Sequence, residues 1–150
     1  MTTKPAVSTL GHVNEPKVIS RLLTEPGTCA VVGLSRDRAR TAFSVARWLR
    51  DVAGKELVAV HPLAEPVLGA PGYARLADIP EGPIQVVDCF VNSHRVGAVV
   101  DDAIAEMDRL SIQAVWLQLG VVDQAAAARA RAAGLEVVMN TCPKIEDRRR

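Results

Sequence analysis

Cys29-Ala30-Val31-Val32-Gly33-Leu34-Ser35 is the stretch on which the fold turns. A short apolar run ends in a glycine and a small polar residue, and a segment of helical composition begins near Thr41. This is the order of a first strand, a phosphate-contacting turn and a helix in a nucleotide-binding α/β sheet. Glycine lets the backbone bend sharply and lets a ligand approach with no Cβ in between. The amides of such a turn, and of the helix start beyond it, suit an anion. The full G-x-G-x-x-G is absent because Ser35 stands at the place of the second glycine. The assignment therefore draws its weight from the segments that follow.

Working outward, strand and helix patterns alternate. Residues 1–14 read as a flexible lead-in, and Lys17 to Leu23 as a short helix stopped by Pro26-Gly27. After the first strand, a helix is predicted from Thr41 to Val52, ended by Ala53-Gly54. Leu57 to Val60 is the second strand, closed by His61-Pro62. A proline-rich stretch follows, in which Tyr73 to Leu76 forms a small extra strand or turn. Ile84 to Phe90 is the third main strand. Val96, Val99, Val100, Ala103, Ile104 and Met107 recur at helical spacing. Ala114 to Leu117 is the fourth strand, and Asp123 caps an alanine-rich helix that Gly134 ends. Leu135 to Met139 is the fifth, and Cys142-Pro143-Lys144 begins a short tail whose last residues, 147–150, are basic. Right-handed crossovers between parallel strands follow from this alternation. The expected fold is a Rossmann-like doubly wound parallel five-stranded sheet, in order 3-2-1-4-5, as a single three-layer α/β/α domain over residues 15–146.

Size and composition agree. The chain has 150 residues, enough for one domain with a core of its own. Aromatic residues are only 3%, and Val, Ala and Leu carry the apolar weight, which favours buried parallel strands under helices over a sandwich. A net charge of +1 provides no nucleic-acid or membrane surface. Cys29, Cys89 and Cys142 are odd in number and far apart, against both a disulfide framework and a zinc site. No apolar run has the length of a signal peptide core or a membrane span, so the expected location is the cytoplasm.

Ligands of such sheets sit beyond the carboxyl ends of the strands. Those ends are Gly33-Leu34-Ser35, His61-Pro62, Phe90-Val91-Asn92, Gln118-Leu119-Gly120 and Asn140-Thr141-Cys142. Arg36, Arg38 and Arg40 follow the first turn, and guanidinium groups match phosphate in shape and charge. An NAD site would place a carboxylate near the end of the second strand. Here Val60-His61-Pro62-Leu63 has none, which suits a ribose carrying its own phosphate. His61 is either turned to the ligand or a rim histidine without a role, and His94 reads as a polar cap. Asp88, inside a strand, needs a partner, for which neighbouring backbone is the simplest choice. Asp101, Asp102 and Glu106 read as solvated, and Trp116 as core. No base stands beside a nucleophile, and no metal site is indicated.

From Val18 to Glu146 the chain resembles the small stand-alone CoA-binding proteins, which share the Rossmann-like CoA-binding domain of the succinyl-CoA synthetase alpha subunit. The specific motifs are Trp116-Leu117-Gln118-Leu119-Gly120 and Cys142-Pro143-Lys144-Ile145-Glu146. Ala30 to Ser35, Arg40 to Leu49, Val60 to Pro62, Tyr73 to Pro80 and Val86 to Phe90 support them. The resemblance implies that Gly33, Leu34, Ser35, Arg40 and Thr41 contact the CoA phosphates, and the arginine loop adds Arg36 to them. It implies that His61, Pro62, Phe90 and Val91 line the adenosine; Gln118, Gly120 and Cys142 complete the rim by their place at the strand ends. Two departures stand out. Leu63 follows Pro62 and Val91 follows Phe90, where the family commonly has basic residues, so the arginine loop is expected to hold the 3′-phosphate.

The reading is a non-catalytic module that binds coenzyme A or an acyl-CoA, as monomer or homodimer, with or without a protein partner. The synthetase reaction needs a second domain with a phosphorylated histidine, for which this chain has no room. A Rossmann-type NAD(P)- or nucleotide-binding enzyme or regulator is the alternative. Cys142 could meet the pantetheine thiol in a mixed disulfide, against which stands an inert cysteine locked by Pro143.

Overall fold

The computed structural model describes residues 11–150. Helix α1 spans Pro16–Thr24, with proline in its first turn, where a missing N–H costs no helical bond. Strand β1 is Thr28–Val32, α2 is Thr41–Asp51, and β2 is Glu56–Val60. A two-residue β3, Gly72–Tyr73, precedes a single 3-10 turn over Leu76–Asp78. Then come β4 (Val86–Cys89), α3 (Val96–Leu110), β5 (Ala114–Leu117), α4 (Gln124–Ala133), β6 (Glu136–Met139) and α5 (Pro143–Arg149). The described residues thus hold six strands and five α-helices.

All pairings are parallel, and the sheet runs β3-β2-β1-β4-β5-β6. This corrects the expected order. The third main strand does not lie outside β2. It crosses over to pair with β1, Val32 standing opposite Cys89. The place outside β2 goes to β3, hence six strands and not five. The cause lies in the proline-rich segment. The Pro71 and Tyr73 carbonyls accept from the Ala59 and His61 amides, and the chain then turns away into the 3-10 turn. The reversal of direction from β1 still falls between β1 and β4, where a crevice opens.

Alternate strand residues feed two cores. Val32, Val60, Val87 and Leu117 pack under α3 and α4, while Cys29, Val31, Ala59 and Trp116 pack under α1 and α2. Trp116 is core, and its indole N–H donates to the Thr141 carbonyl at 2.9 Å. The expected tail is a helix. Pro143 opens α5, and the Thr141 hydroxyl donates to Glu146 Oε2 at 2.5 Å. Two of the arginines at its end pair back onto the helix, Arg149 with Glu146 and Arg150 with Asp147.

Of the expected lead-in, residues 1–10 lie outside the described residues. Asn14 is tied to the margin of β6: its amide donates to the Met139 carbonyl and accepts from the Met139 N–H, both at 2.9 Å. At another margin, the Arg109 guanidinium of α3 donates to the carbonyls of Leu76, Ala77, Ile79 and Pro80, which staples the 3-10 turn to the helix.

Lys55 secures the end of the sheet away from the crevice. It is 3% exposed, and its ammonium donates to the Leu22 carbonyl (2.6 Å), to Gln85 Oε1 (2.7 Å) and to the Glu25 carbonyl. Burial lowers its pKa, but all three donors are satisfied. Lys55→Met keeps the stem and takes the ammonium from three acceptors, leaving the Glu25 carbonyl only Gln85 Nε2 at 3.5 Å. It is expected to lower stability by about 1–3 kcal/mol, read as a lower urea midpoint. An unchanged midpoint would show that these carbonyls find other donors.

Candidate functional site

The carboxyl ends of β1, β2, β4 and β5 face one crevice of about 1440 Å³. Drug-sized ligand pockets run to roughly 300–1,000 Å³, so this one has room for an extended nucleotide. Its polar atoms come from the loops that follow the strands and from the exposed stripe of α3.

The first loop is the glycine turn. Gly33 has φ +100, a region that glycine alone enters freely, and its amide donates to the Val60 carbonyl at 2.8 Å. A Cβ at this position would lie 2.6 Å from the Phe90 carbonyl oxygen. The turn is thus drawn tight against the end of β4. Ser35 Oγ accepts from the Asp37 amide at 3.2 Å, and Asp37 Oδ1 accepts from the Ala39 amide at 3.0 Å. These bonds steer the loop into α2. No side chain caps α2, so its opening amides remain available at Thr41 and Ala42, which line the crevice.

The arginine loop splits. Arg40 lines the crevice, with its guanidinium 3.8 Å from Asp37. Arg36 turns away: its Nε donates to the Pro66 carbonyl at 3.1 Å, and Glu65 lies 3.8 Å from it. Arg38 lies over the Phe43 ring, 5.4 Å from its centre. Leu34 is wholly buried.

At the end of β2, His61 and Pro62 line the crevice. His61 Nδ1 accepts from the Leu63 amide at 3.1 Å, which leaves the ring proton on Nε2. At the end of β4, Phe90, Val91 and Asn92 line it. Asn92 Oδ1 accepts from the amides of His94 (3.0 Å) and Arg95 (3.1 Å), so Asn92 and not His94 builds the turn into α3. Gln118 and Cys142 also line the crevice. Gly120 does not; its amide donates to Asn140 Oδ1 at 2.8 Å. Of the thirteen residues singled out from the sequence, Leu34, Arg36 and Gly120 are therefore off the crevice wall and the other ten are on it.

Beneath the rim lies a buried polar pair. Asp88 is 1% exposed and accepts from Gln118 Nε2 at 3.3 Å, so its partner is a side chain and not backbone. Asp88 Oδ2 and Gln118 Oε1 have no partner. Burial, opposed by Cys29, Lys55 and Gln118, pushes the Asp88 carboxyl up to about 7.

Sequence reasoning missed Arg75, Arg95, Ala98 and Asp102, all on the wall. Arg95, Ala98, Val99 and Asp102 recur at i, i+3, i+4 and i+7, a second stripe of α3 beside its core stripe. That spacing was the available signal. Asp102 is raised mainly by burial against this wall. Among the described residues, no group of three His, Cys, Asp or Glu side chains is gathered as a metal would need, and no helix is long and apolar enough to cross a membrane.

A family model described as a CoA binding domain matches residues 27–148. The uncharacterized protein YneT of Bacillus subtilis is 32% identical over 127 residues, which are 85% of this chain and 90% of YneT. A hypothetical protein from Pyrococcus horikoshii OT3 superposes with a TM-score of 0.80 at 32% identity, over 91% of this chain and 92% of that one. The fold also recurs in a dinucleotide-forming acetyl-coenzyme A synthetase of Candidatus Korarchaeum cryptofilum. There the TM-score is 0.65 at 22% identity, over 79% of this chain and 26% of the synthetase.

Proposed function

The chain belongs to the CoA-binding domain family, and on that premise we propose that its crevice holds coenzyme A or an acyl-CoA as a bound ligand. The observation that carries this reading is the Gly33 turn. No Cβ fits there, and it stands beside a helix whose opening amides no side chain has claimed. A diphosphate accepts from such amides while Arg40 balances its charge. The adenosine then lies along His61, Pro62, Phe90 and Val91, and the pantetheine arm runs toward Gln118 and Cys142. Coenzyme A supplies a thiol on this arm; the protein's own residues bind and orient it.

Holding, and not turnover, is the activity proposed. His61 is oriented by its own backbone at Leu63 and is not directed at a nucleophile. An NAD enzyme is the weaker reading because the nearest acid after β2, Glu65, sits beside Arg36.

Calorimetric titration tests the assignment. Coenzyme A is expected to give a saturable heat with one site per chain, and NAD and ATP are expected to bind at least tenfold more weakly. Tighter binding of NAD than of coenzyme A would replace the reading with a dinucleotide site.

A further inference from the structure

The edge strand β3 brings to the crevice a cation, Arg75, to which the reading above gives no role. Arg75 lies two residues beyond Tyr73, whose carbonyl accepts from the His61 amide at 3.0 Å. It therefore stands next to the end of β2, on the wall where the ribose belongs. Resting on the coenzyme A reading above, we propose that Arg75 recognises the 3′-phosphate and makes the site selective for the 3′-phosphorylated ligand.

The other cations on the wall have different places. Arg40 is at the start of α2 beside Asp37, at the diphosphate end. Arg95 and His94 belong to the turn that enters α3. Arg36 and Arg38 are engaged by Pro66, Glu65 and Phe43, so the loop expected to hold this phosphate spends two of its three arginines elsewhere.

The backbone under Arg75 is firm. Arg109 holds the carbonyls of Leu76, Ala77, Ile79 and Pro80, so the 3-10 turn following Arg75 moves with α3. The guanidinium itself is lightly engaged. It donates to Asp78 at 3.2 Å with its side chain 69% exposed. Exposed pairs of this kind contribute little, and a phosphate monoester carries nearly two charges and three acceptor oxygens. Asp78 and Asp102 are the acidic neighbours from which Arg75 would swing. Without a 3′-phosphate, Arg75 stays with Asp78 and adds nothing to binding.

Titration of the wild type, Arg75→Ala and Arg38→Ala with coenzyme A and with 3′-dephospho-coenzyme A decides it. A charge-assisted contact corresponds to roughly tenfold to a hundredfold in affinity. The wild type should prefer coenzyme A by that factor. Arg75→Ala should lose the preference with its affinity for the dephosphorylated ligand unchanged. Arg38→Ala removes the same charge away from the crevice and should keep the preference. Arg75→Ala retaining the preference, or weakening both ligands alike, would overturn the role of Arg75 alone, as would equal binding of both ligands by the wild type. A wild type that binds neither ligand would overturn the coenzyme A reading itself, and this inference with it.

Discussion

Asp88→Asn is expected to raise stability above neutral pH and to flatten its pH dependence. The Asp88 carboxyl has a folded-state value of about 7 against an ordinary 3.8. Between those values the native state keeps a proton that the unfolded chain has lost. The resulting stabilisation is complete below about pH 4 and is lost as pH rises through 7. The full difference is on the order of 4 kcal/mol for a group this buried. The two unpartnered atoms offer a place for the proton. Gln118 Nε2 already donates to Asp88 Oδ1. A proton on Oδ2 supplies a donor to which the orphaned Oε1 of the same Gln118 amide is the complement. Asparagine presents the same donor at every pH. Urea unfolding at pH 5 and pH 8 should show Asp88→Asn gaining about 3 kcal/mol on the wild type between the two conditions. A constant gap would mean that Asp88 ionises normally beneath the crevice.

The second large effect is expected from Gly33→Ala. Its Cβ would meet the Phe90 carbonyl oxygen at 2.6 Å, and φ +100 is itself strained for alanine. Either the end of β1 or the loop after β4 must move. Both line the crevice, so binding and folding suffer together. A loss of about 2–4 kcal/mol in stability is expected from strain and overpacking, with coenzyme A affinity down by tenfold or more. Gly120→Ala isolates the second effect. Gly120 has φ +86, but an added Cβ there meets nothing within 4 Å. It should lose stability through backbone strain alone and retain its ligand. Equal behaviour of the two variants would show that the turn is not drawn tight against Phe90.

Local signals in the sequence predicted local structure well. Asp123 caps α4 by accepting from the Ala126 amide at 2.9 Å, and Gly134 follows its last residue. The spacing from Val96 to Met107 marked α3, which runs on to Leu110. Strand order was less legible, because β3 has only two residues and no alternation to reveal it. That one misplacement hid Arg75, since its position on the wall depends on β3 lying outside β2. Helix α5 was missed although Pro143 marks a first helical turn as well as it marks a tail. The direction of Arg36 was not legible at all. It depends on the Pro66 carbonyl, thirty residues away in sequence. Lys55 gave no signal either, for its three acceptors meet only when α1, β2 and β4 have assembled.

The Asn14 amide bears on the open edge of the sheet. An outermost strand with open N–H and C=O groups is a template on which another chain can add itself. At one boundary of this sheet the template is two residues long. At the other, a single carboxamide occupies both pairing groups of Met139 as a neighbouring strand would. At Met139 the longer margin is thus closed by the chain's own Asn14, and the pairing groups on which an added strand would begin there are already taken.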